Sequence, residues 1–460
     1  MHRKTIAAVL IIPMTFALAG AVAQAQDRTR AGALIDQKLR EAVERKQVPG
    51  VVALVTDRKG VVYQGAFGVA DVATGQPLAA DSLFRIASMT KAITSTAAMQ
   101  LVEQGKFTLD DPVEKYLPEM AKLPVFDSFD AKTGNYHLHM TSKPITVRHV
   151  LTHSSGLGYP FTSATLRDFK PRAGETYPDG PLLFEPGEKW WYGTSTDIVG
   201  RLVEKISGQK LEDYFRQHIF TPLKMTDTSY NLPEQKSARL VAAQQRDGER
   251  MDGAIVKASV QPGLTIPQPI GGGGLASTAS DYGRFVRMLL NGGELDGARV
   301  LKAETVALMG QNHIGNVSVP ALASALPRSR DFTFVADGRD KFGLGFLITT
   351  DHVAGKRSAG SLSWGGISNT YFWVDQNRGI AGVILMQYLP FADPAALAVY
   401  DAFERAAYQL ADGMLGDRSR PVPGTVADKS RHGRAMDAKV GGKPTWSWEP
   451  CQSLTSRTVS

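Results

Sequence analysis

The sequence predicts an α+β fold in which helices flank one antiparallel sheet that is built from both ends of the chain. Near the start, VVALVTD and VVYQGAFG (residues 51–57 and 61–68) are apolar strand patterns joined by Arg58-Lys59-Gly60. Near the end, SAGSLSW, NTYFWVDQ and IAGVILMQ follow one another between residues 358 and 387. β-Branched and aromatic runs separated by short turn signals are typical of antiparallel strands. The two groups of strands therefore predict one shared sheet.

The helices are predicted from apolar spacing and from the residues that end each pattern. These patterns cover residues 29–46, 89–104, 195–208, the segment that follows the glycine run 271–274, and 393–412. We expect one domain at 27–415, with its sheet part at about 27–105 and 275–415. Between them, about 106–274, Pro and Gly break short helical patches, which predicts a mostly helical insertion. We expect the tail, 416–460, to be disordered.

The first 25 residues have the pattern of a secretory signal. A basic start (MHRK) precedes an apolar stretch, and Ala23-Gln24-Ala25 is a small-x-small cleavage pattern. An uncleaved membrane anchor is the alternative, but Pro13 and the cleavage pattern argue against it. No later apolar run is long enough to span a bilayer. We therefore expect a periplasmic or secreted protein with no stable membrane insertion once the signal is removed.

The net charge of +7 does not predict a nucleic-acid partner. Arg3 and Lys4 contribute +2 within the signal, and residues 416–460 contribute +4. Only +1 then remains for the body of the chain, whereas a nucleic-acid surface needs basic residues clustered on the folded domain.

Cysteine and histidine usage argues against a metal site. The one cysteine, Cys451, excludes an intrachain disulfide and a site built on several thiolates. His137 and His139 share one face of a predicted strand, but no carboxylate cluster or HExxH motif completes a ligand set. We predict no metal.

The segment ASMTKAIT (87–94) contains the main candidate for catalysis. Ser88 and Lys91 are three residues apart, so a helix places both side chains on one face. Burial and a helix N-terminus both lower the pKa of a lysine, and a partly neutral lysine could take the proton of a serine nucleophile. The same N-terminus offers backbone N–H groups to an oxyanion. Ser207 and Lys210 repeat the spacing, but they lie at a helix stop among other charges.

Two further segments supply candidate site residues. Tyr192, in FEPGEKWWYGT, could act as a base or pass a proton to a leaving group; the alternative is an ordinary half-buried aromatic. Trp364-Gly365-Gly366 ends a strand pattern, and its two glycines would let backbone approach a ligand, although a hairpin turn is the simpler interpretation.

Five segments in order resemble the serine β-lactamase and penicillin-binding superfamily, most of all the β-lactamase-like carboxylesterases of family VIII. They are LFRIASMTKAIT, ITVRHVLTHSSGLGY, FEPGEKWWYGT, GGGGLASTASDYGRF and SAGSLSWGG. The resemblance extends over roughly residues 35–412. It implies the β-lactamase/transpeptidase-like fold, an acyl-enzyme mechanism and no cofactor.

The resemblance also implies a role for each site residue. Ser88 would be the nucleophile, Lys91 its base or base partner, and Tyr192 the proton shuttle. The oxyanion hole would be the N–H groups of Ser88 and Ile367, and Trp364, Gly365 and Gly366 would contact the substrate. Which of Lys91 and Tyr192 takes the first proton stays open, as it does in related enzymes.

Two departures from class C β-lactamases favour a small-molecule ester as substrate. Where those enzymes carry Tyr-Ala-Asn and Lys-Thr-Gly, this chain has Tyr192-Gly193-Thr194 and Trp364-Gly365-Gly366. The missing lysine would have bound the β-lactam carboxylate, a contact worth about 1.5–3 kcal/mol. We therefore expect a serine carboxylesterase. The alternatives are a β-lactamase, a D-Ala-D-Ala carboxypeptidase or an acyltransferase with the same machinery, and a non-catalytic binding module.

Overall fold

Strands from both ends of the chain pair in one eight-stranded antiparallel sheet. This computed structural model describes residues 31–248, 253–333 and 339–415. The strands are β1 Gly50–Asp57, β2 Val61–Asp71, β3 Gln76–Pro77, β4 Phe84–Arg85, β5 Pro124–Phe129, β6 Tyr136–Met140, β7 Gln244–Arg246, β8 Ile255–Lys257, β9 Ala276–Ser277, β10 Glu294–Leu295, β11 Ala298–Arg299, β12 Lys341–Phe342, β13 Leu347–Ile348, β14 Leu362–Gly366, β15 Thr370–Asp375, β16 Ile380–Leu385 and β17 Tyr388–Leu389. The order in the large sheet is β12-β13-β14-β15-β16-β1-β2-β3.

The helices pack on the sheet and around the inserted region. They are α1 (31–44), α2 Thr90–Glu103, α3 Val147–Leu151, α4 Ala164–Asp168, α5 Ser195–Ser207, α6 Leu211–Phe215, α7 Ala279–Leu290, α8 Ala303–Met309 and α9 Pro394–Leu415. A 3-10 turn at Ala87–Met89 leads directly into α2. Within the described residues, no helix is both long enough and apolar enough to cross a bilayer.

Two adjacent residues of β15 show that the sheet has a helix on each face. Phe372 contacts Tyr282 of α7, with ring centroids 5.2 Å apart, and Trp373 contacts Phe403 of α9 at 5.4 Å. Because successive side chains of a strand point to opposite faces, α7 and α9 cover opposite sides of the sheet. The predicted α+β fold, with an antiparallel sheet from both chain ends, is confirmed.

The predicted insertion, about 106–274, contains the helices α3 to α6, irregular segments and the β5–β6 hairpin. Most of its described residues lie outside helices, so the prediction of a mostly helical insertion is wrong; its many Pro and Gly residues keep the helices short. Its α5 packs against α2, and the same region carries Tyr192. The insertion thus brings a tyrosine from far along the chain to the start of α2. The predicted signal (1–25) and tail (416–460) lie outside the described residues, and both stay predictions.

Candidate active site

Ser88 and Lys91 lie where the 3-10 turn passes into α2. Lys91 Nζ is 3.3 Å from Ser88 Oγ, so the three-residue spacing brings the two groups together as predicted. Lys91 is only 2% exposed, and every residue from Thr90 to Leu101 is buried. Ala87, immediately before the serine, has a φ of +46°, a value that non-glycine residues rarely adopt.

Tyr192 completes a triad of polar atoms. Its hydroxyl donates to Ser88 Oγ at 2.6 Å, which is shorter than the contact between serine and lysine. Lys91 Nζ also lies 4.9 Å from the centre of the Tyr192 ring, within cation–π distance. The backbone is held as well, because Thr162 Oγ1 donates to the Tyr192 carbonyl at 3.0 Å. The structure therefore brings together the three side chains that the sequence proposed as catalytic.

Lys91 also contacts two groups that were not predicted from the sequence. Lys91 Nζ donates to the Gly272 carbonyl at 2.7 Å and to the Tyr159 hydroxyl at 3.2 Å. Tyr159 is the last residue of the quoted segment ITVRHVLTHSSGLGY, so its position beside a motif was visible. Nothing in the spacing showed that its ring would lie over the lysine. A backbone carbonyl leaves no signal in a sequence at all.

The glycine run 271–274 passes directly beneath Lys91. Thr94 Oγ1 donates to the Gly271 carbonyl at 2.7 Å, and the Gly272 N–H donates to Asp197 Oδ1 at 2.6 Å. A Cβ on Gly272 would lie 2.5 Å from that carboxylate oxygen and 3.0 Å from the Tyr159 hydroxyl. Only a glycine leaves enough room there, which fits the prediction that the run lets backbone pass close under the site.

The charge state of Lys91 is opposite to the one predicted from sequence. Burial does favour the neutral amine, but the oxygens of Tyr159 and Tyr192 and the carboxylate of Asp197 outweigh it and raise the pKa above the usual lysine value. Three oxygen acceptors surround Nζ, which suits the three N–H donors of an ammonium group. The prediction of a lowered pKa, and so of a partly neutral Lys91, is wrong. That prediction considered burial but not the oxygens that surround the amine.

A neutral histidine lies under the site. His153 is 2% exposed, and burial, together with the charge of Lys91, holds its pKa well below the usual value. Its ring centroid is 5.2 Å from that of Tyr192 and 6.3 Å from that of Trp364. Its position packs His153 against the ring of Tyr192, where it supports that side chain.

Trp364 lies in the middle of β14 and packs against the same aromatic residues. Its ring centroid is 5.1 Å from that of Tyr192 and 5.4 Å from that of Phe342, and the residue is 4% exposed. The ring also lies near Trp190 and His153. Its predicted contact with substrate stays a prediction.

The predicted oxyanion hole needs the Ser88 turn and the end of β14 to lie side by side. A Cβ on Gly366 would collide with the carbonyl oxygen of Ile86, two residues before the serine, so glycine is required for this approach. Thr370 Oγ1 donates to the same carbonyl at 3.4 Å. The two segments therefore meet, and the roles of the Ser88 and Ile367 N–H groups stay predictions.

The other candidates lie elsewhere in the molecule. His137 and His139 share β6, and His139 is held between Asp127 at 2.7 Å and Glu185 at 3.0 Å. Among residues 31–248, 253–333 and 339–415, no group of three or more histidine, cysteine or acidic side chains could hold a metal ion. The second serine–lysine pair ends α5, where Lys210 is exposed.

Comparison with known proteins gives one consistent family. The family model described as Beta-lactamase matches residues 35–407. A monacolin J acid methylbutanoyltransferase of Aspergillus terreus is 31% identical over 82% of this chain and 95% of its own length. A lovastatin esterase of Penicillium rubens is 32% identical over 77% and 92%. The unliganded simvastatin synthase from Aspergillus terreus superposes with a TM-score of 0.71 at 29% identity, over 82% of this chain and 98% of that one.

The chain belongs to the beta-lactamase family. As a beta-lactamase family member with the β-lactamase/transpeptidase-like fold, it is an enzyme of the serine hydrolase and acyltransferase class. The resemblance stated from the five sequence segments is thereby confirmed. The family model covers both parts of the sheet and the insertion between them, so the match includes every segment that meets at Ser88.

Proposed function

We propose that this protein is a serine carboxylesterase that hydrolyses small neutral esters through an acyl-enzyme on Ser88. One observation carries the proposal: Ser88 Oγ lies 2.6 Å from the hydroxyl of Tyr192 and 3.3 Å from the amine of Lys91, beside the N-terminus of a buried helix. A serine needs a neighbouring proton acceptor to attack a carbonyl carbon, and a chain of two such groups supplies one.

Acylation moves two protons along a hydrogen-bonded chain that runs from Ser88 through Tyr192 to the leaving group. Ser88 Oγ attacks the ester carbonyl carbon and its proton passes to Tyr192 Oη, while Tyr192 gives its own proton to the leaving alkoxide oxygen. The bond from Oγ to the acyl carbon forms, the bond from that carbon to the alkoxy oxygen breaks, and an alcohol leaves. The hydrogen bond between Ser88 and Tyr192 reverses its direction during this step. In deacylation, water attacks the acyl carbon and gives its proton to Tyr192 Oη, while Tyr192 gives its own proton to Ser88 Oγ. The bond from Oγ to the acyl carbon breaks, and a carboxylic acid leaves.

In this mechanism Lys91 acts as a cation and not as the first base. Its raised pKa leaves no lone pair on Nζ to accept the serine proton at neutral pH. A positive charge 3.3 Å from Ser88 Oγ and 4.9 Å from the Tyr192 ring lowers the energy of negative charge on either oxygen. The sequence left open which residue takes the first proton, and we propose that it is Tyr192.

The aromatic surroundings favour an ester over a β-lactam. At the position of the class C lysine, Trp364 lies among Trp190, Tyr192 and Phe342 and offers no cation to a substrate carboxylate. Thr194 stands where those enzymes carry an asparagine. An uncharged acyl chain needs neither contact.

Acyl transfer to an alcohol is a second candidate, favoured by the 31% identity to a methylbutanoyltransferase. The chemistry is the same until deacylation, when an alcohol replaces water as the nucleophile. Adding 1-butanol to a p-nitrophenyl butyrate assay separates the two activities. Butyl butyrate as the main product would indicate a transferase, and butyric acid as the main product would indicate a hydrolase.

The central test is covalent labelling followed by a substrate panel. A fluorophosphonate should add the mass of its phosphonyl group to the purified protein, with loss of HF, and Ser88→Ala should abolish the addition. A chain-length series of p-nitrophenyl esters should be turned over faster than nitrocefin. Labelling of neither protein would favour a non-catalytic binding module, and a nitrocefin rate far above the ester rates would favour a β-lactamase.

We also propose a periplasmic or secreted location, on the basis of the signal pattern in residues 1–25. Expression of the full chain in a Gram-negative host, followed by intact-mass measurement of the periplasmic fraction, tests it. A mature protein that begins at Gln26 supports the proposal, and a full-length chain retained in the cytoplasm contradicts it.

A further inference from the structure

Gly272 lies between two charged side chains. Its carbonyl accepts from Lys91 Nζ at 2.7 Å, and its N–H donates to Asp197 Oδ1 at 2.6 Å. Both hydrogen bonds include a charged partner, which makes them stronger than bonds between neutral groups. The N–H belongs to the 271–272 peptide group and the carbonyl to the 272–273 peptide group, so the backbone of one residue joins Asp197 to Lys91.

We propose that Asp197 is a positioning residue that fixes the backbone of Gly272 and, through it, the place of Lys91 Nζ beside Ser88 and Tyr192. The inference rests on the proposed function, because it assigns Asp197 a part in the same acyl transfer. Asp197 contacts the Gly272 N–H and not the reacting atoms, so its effect on the reaction passes through Lys91.

The surroundings of Asp197 suit this role. It lies in the first turn of α5, where a carboxylate is favoured by the helix dipole. Other contacts also hold the glycine run, because Thr94 Oγ1 donates to the Gly271 carbonyl at 2.7 Å and Arg85 Nη1 donates to the Gly274 carbonyl at 2.8 Å. Neither of them binds the Gly272 N–H. Without Asp197, the φ and ψ angles of Gly272 could change and turn its carbonyl away from Lys91, because glycine has a wide choice of backbone angles. The Lys91 ammonium would then lose its shortest hydrogen bond.

The orientation of Lys91 depends on that bond more than on the others. Its contacts with Tyr159 and Ser88 are 3.2 and 3.3 Å, against 2.7 Å to the Gly272 carbonyl. Losing the short bond should move Nζ from its place and weaken the stabilisation of charge on Ser88 and Tyr192. Substrate binding should change little, because neither Asp197 nor Gly272 is among the groups proposed to contact the ester.

Two substitutions at Asp197 separate the hydrogen bond from the carboxylate itself. Asp197→Ala removes the acceptor, and we expect kcat for p-nitrophenyl butyrate to fall about 10- to 100-fold with KM within about threefold of wild type. Asp197→Asn keeps an acceptor oxygen for the Gly272 N–H and should recover kcat to within about fivefold of wild type. Glu204→Gln makes the same acid-to-amide change on the same helix, where Glu204 accepts from the Leu211 N–H, and should leave both constants unchanged.

The outcomes distinguish this inference from the proposed function. A wild-type protein without Ser88-dependent turnover overturns the proposed function. A wild-type enzyme that is active, with Asp197→Ala within threefold of its kcat or with Asp197→Asn as impaired as Asp197→Ala, overturns the positioning role alone. Melting temperatures show that each variant is folded. Should Asp197→Ala not fold, Asp197→Ser takes its place, since its hydroxyl is one bond short of the Gly272 N–H and the same loss of kcat is expected.

Discussion

Replacing Tyr192 with phenylalanine removes a single oxygen from the site and leaves the ring in place. That oxygen donates to Ser88 Oγ at 2.6 Å. The ring keeps its contacts with Trp364 at 5.1 Å and His153 at 5.2 Å, so the fold should lose no more than one hydrogen bond, worth about 0.5–1.5 kcal/mol. The catalytic loss should be far larger, because a positioned acid–base group contributes about 100- to 10,000-fold to the rate.

The size of the loss should depend on the leaving group. p-Nitrophenolate is a weak base and departs without a proton, whereas ethoxide needs one. We therefore expect Tyr192→Phe to lower kcat/KM for ethyl butyrate by at least about tenfold more than for p-nitrophenyl butyrate. A colorimetric assay measures the second ester and titration of released acid measures the first.

Tyr159→Phe is the matched control for this experiment. It also removes one tyrosine oxygen near Lys91, but that oxygen lies 3.2 Å from Nζ and makes no hydrogen bond to Ser88 among the contacts of the described residues. Its loss should be smaller and equal for both esters. If Tyr192→Phe retains more than a tenth of wild-type activity on ethyl butyrate, or loses the same factor on both esters, Tyr192 does not protonate the leaving group.

Three other predictions concern stability and specificity. His149 accepts the Thr146 N–H through Nδ1, and burial lowers its pKa from 6.5 to about 4. Below pH 6.5 the unfolded chain therefore binds a proton that the folded chain does not, and the free energy of unfolding falls by about 2 kcal/mol at pH 5. His149→Asn should reduce the drop in melting temperature between pH 7 and pH 5. A drop equal to that of the wild type would contradict this. Asp393→Ala should lower the free energy of unfolding in urea by about 3–5 kcal/mol, because it leaves the buried Arg246 without its carboxylate partner. A loss below 1 kcal/mol would show that the ion pair is not needed for stability. Trp364→Lys should not raise nitrocefin turnover, and the lost packing should lower the free energy of unfolding by about 3–5 kcal/mol. A gain in turnover would show that the class C lysine alone restores β-lactamase activity.

The sequence predicted those features of the site that depend on local spacing. Ser88 and Lys91 are one helical turn apart, and the strands on either side of the predicted insertion alternate or run apolar as strands do. Such features follow from the 3.6- and 2-residue periods of the backbone and need no knowledge of distant contacts. Tyr192 was found because it is an ionisable group at the start of a clear helix pattern.

The charge on Lys91 could not be predicted in the same way. A run of uncharged residues correctly predicted that the lysine would be buried, but the sign of its pKa shift depends on oxygens from residues distant in the sequence. Those oxygens belong to Tyr159, Tyr192 and Asp197, which are 68, 101 and 106 residues away along the chain. Burial and its compensation act in opposite directions, so a prediction that sees only burial gives the wrong sign.

The way Lys91 is stabilised also explains how a buried cation can remain useful to the reaction. A carboxylate in direct contact would hold the ammonium in one place and cancel most of its field at Ser88. Here the backbone of Gly272 lies between the ammonium and Asp197, while the Ser88 and Tyr159 hydroxyls accept from Nζ at 3.3 and 3.2 Å. The negative charge is thus close enough to keep Lys91 protonated yet lies on the far side of a neutral group. The positive charge that remains is directed at the serine and tyrosine oxygens, where negative charge develops during acyl transfer.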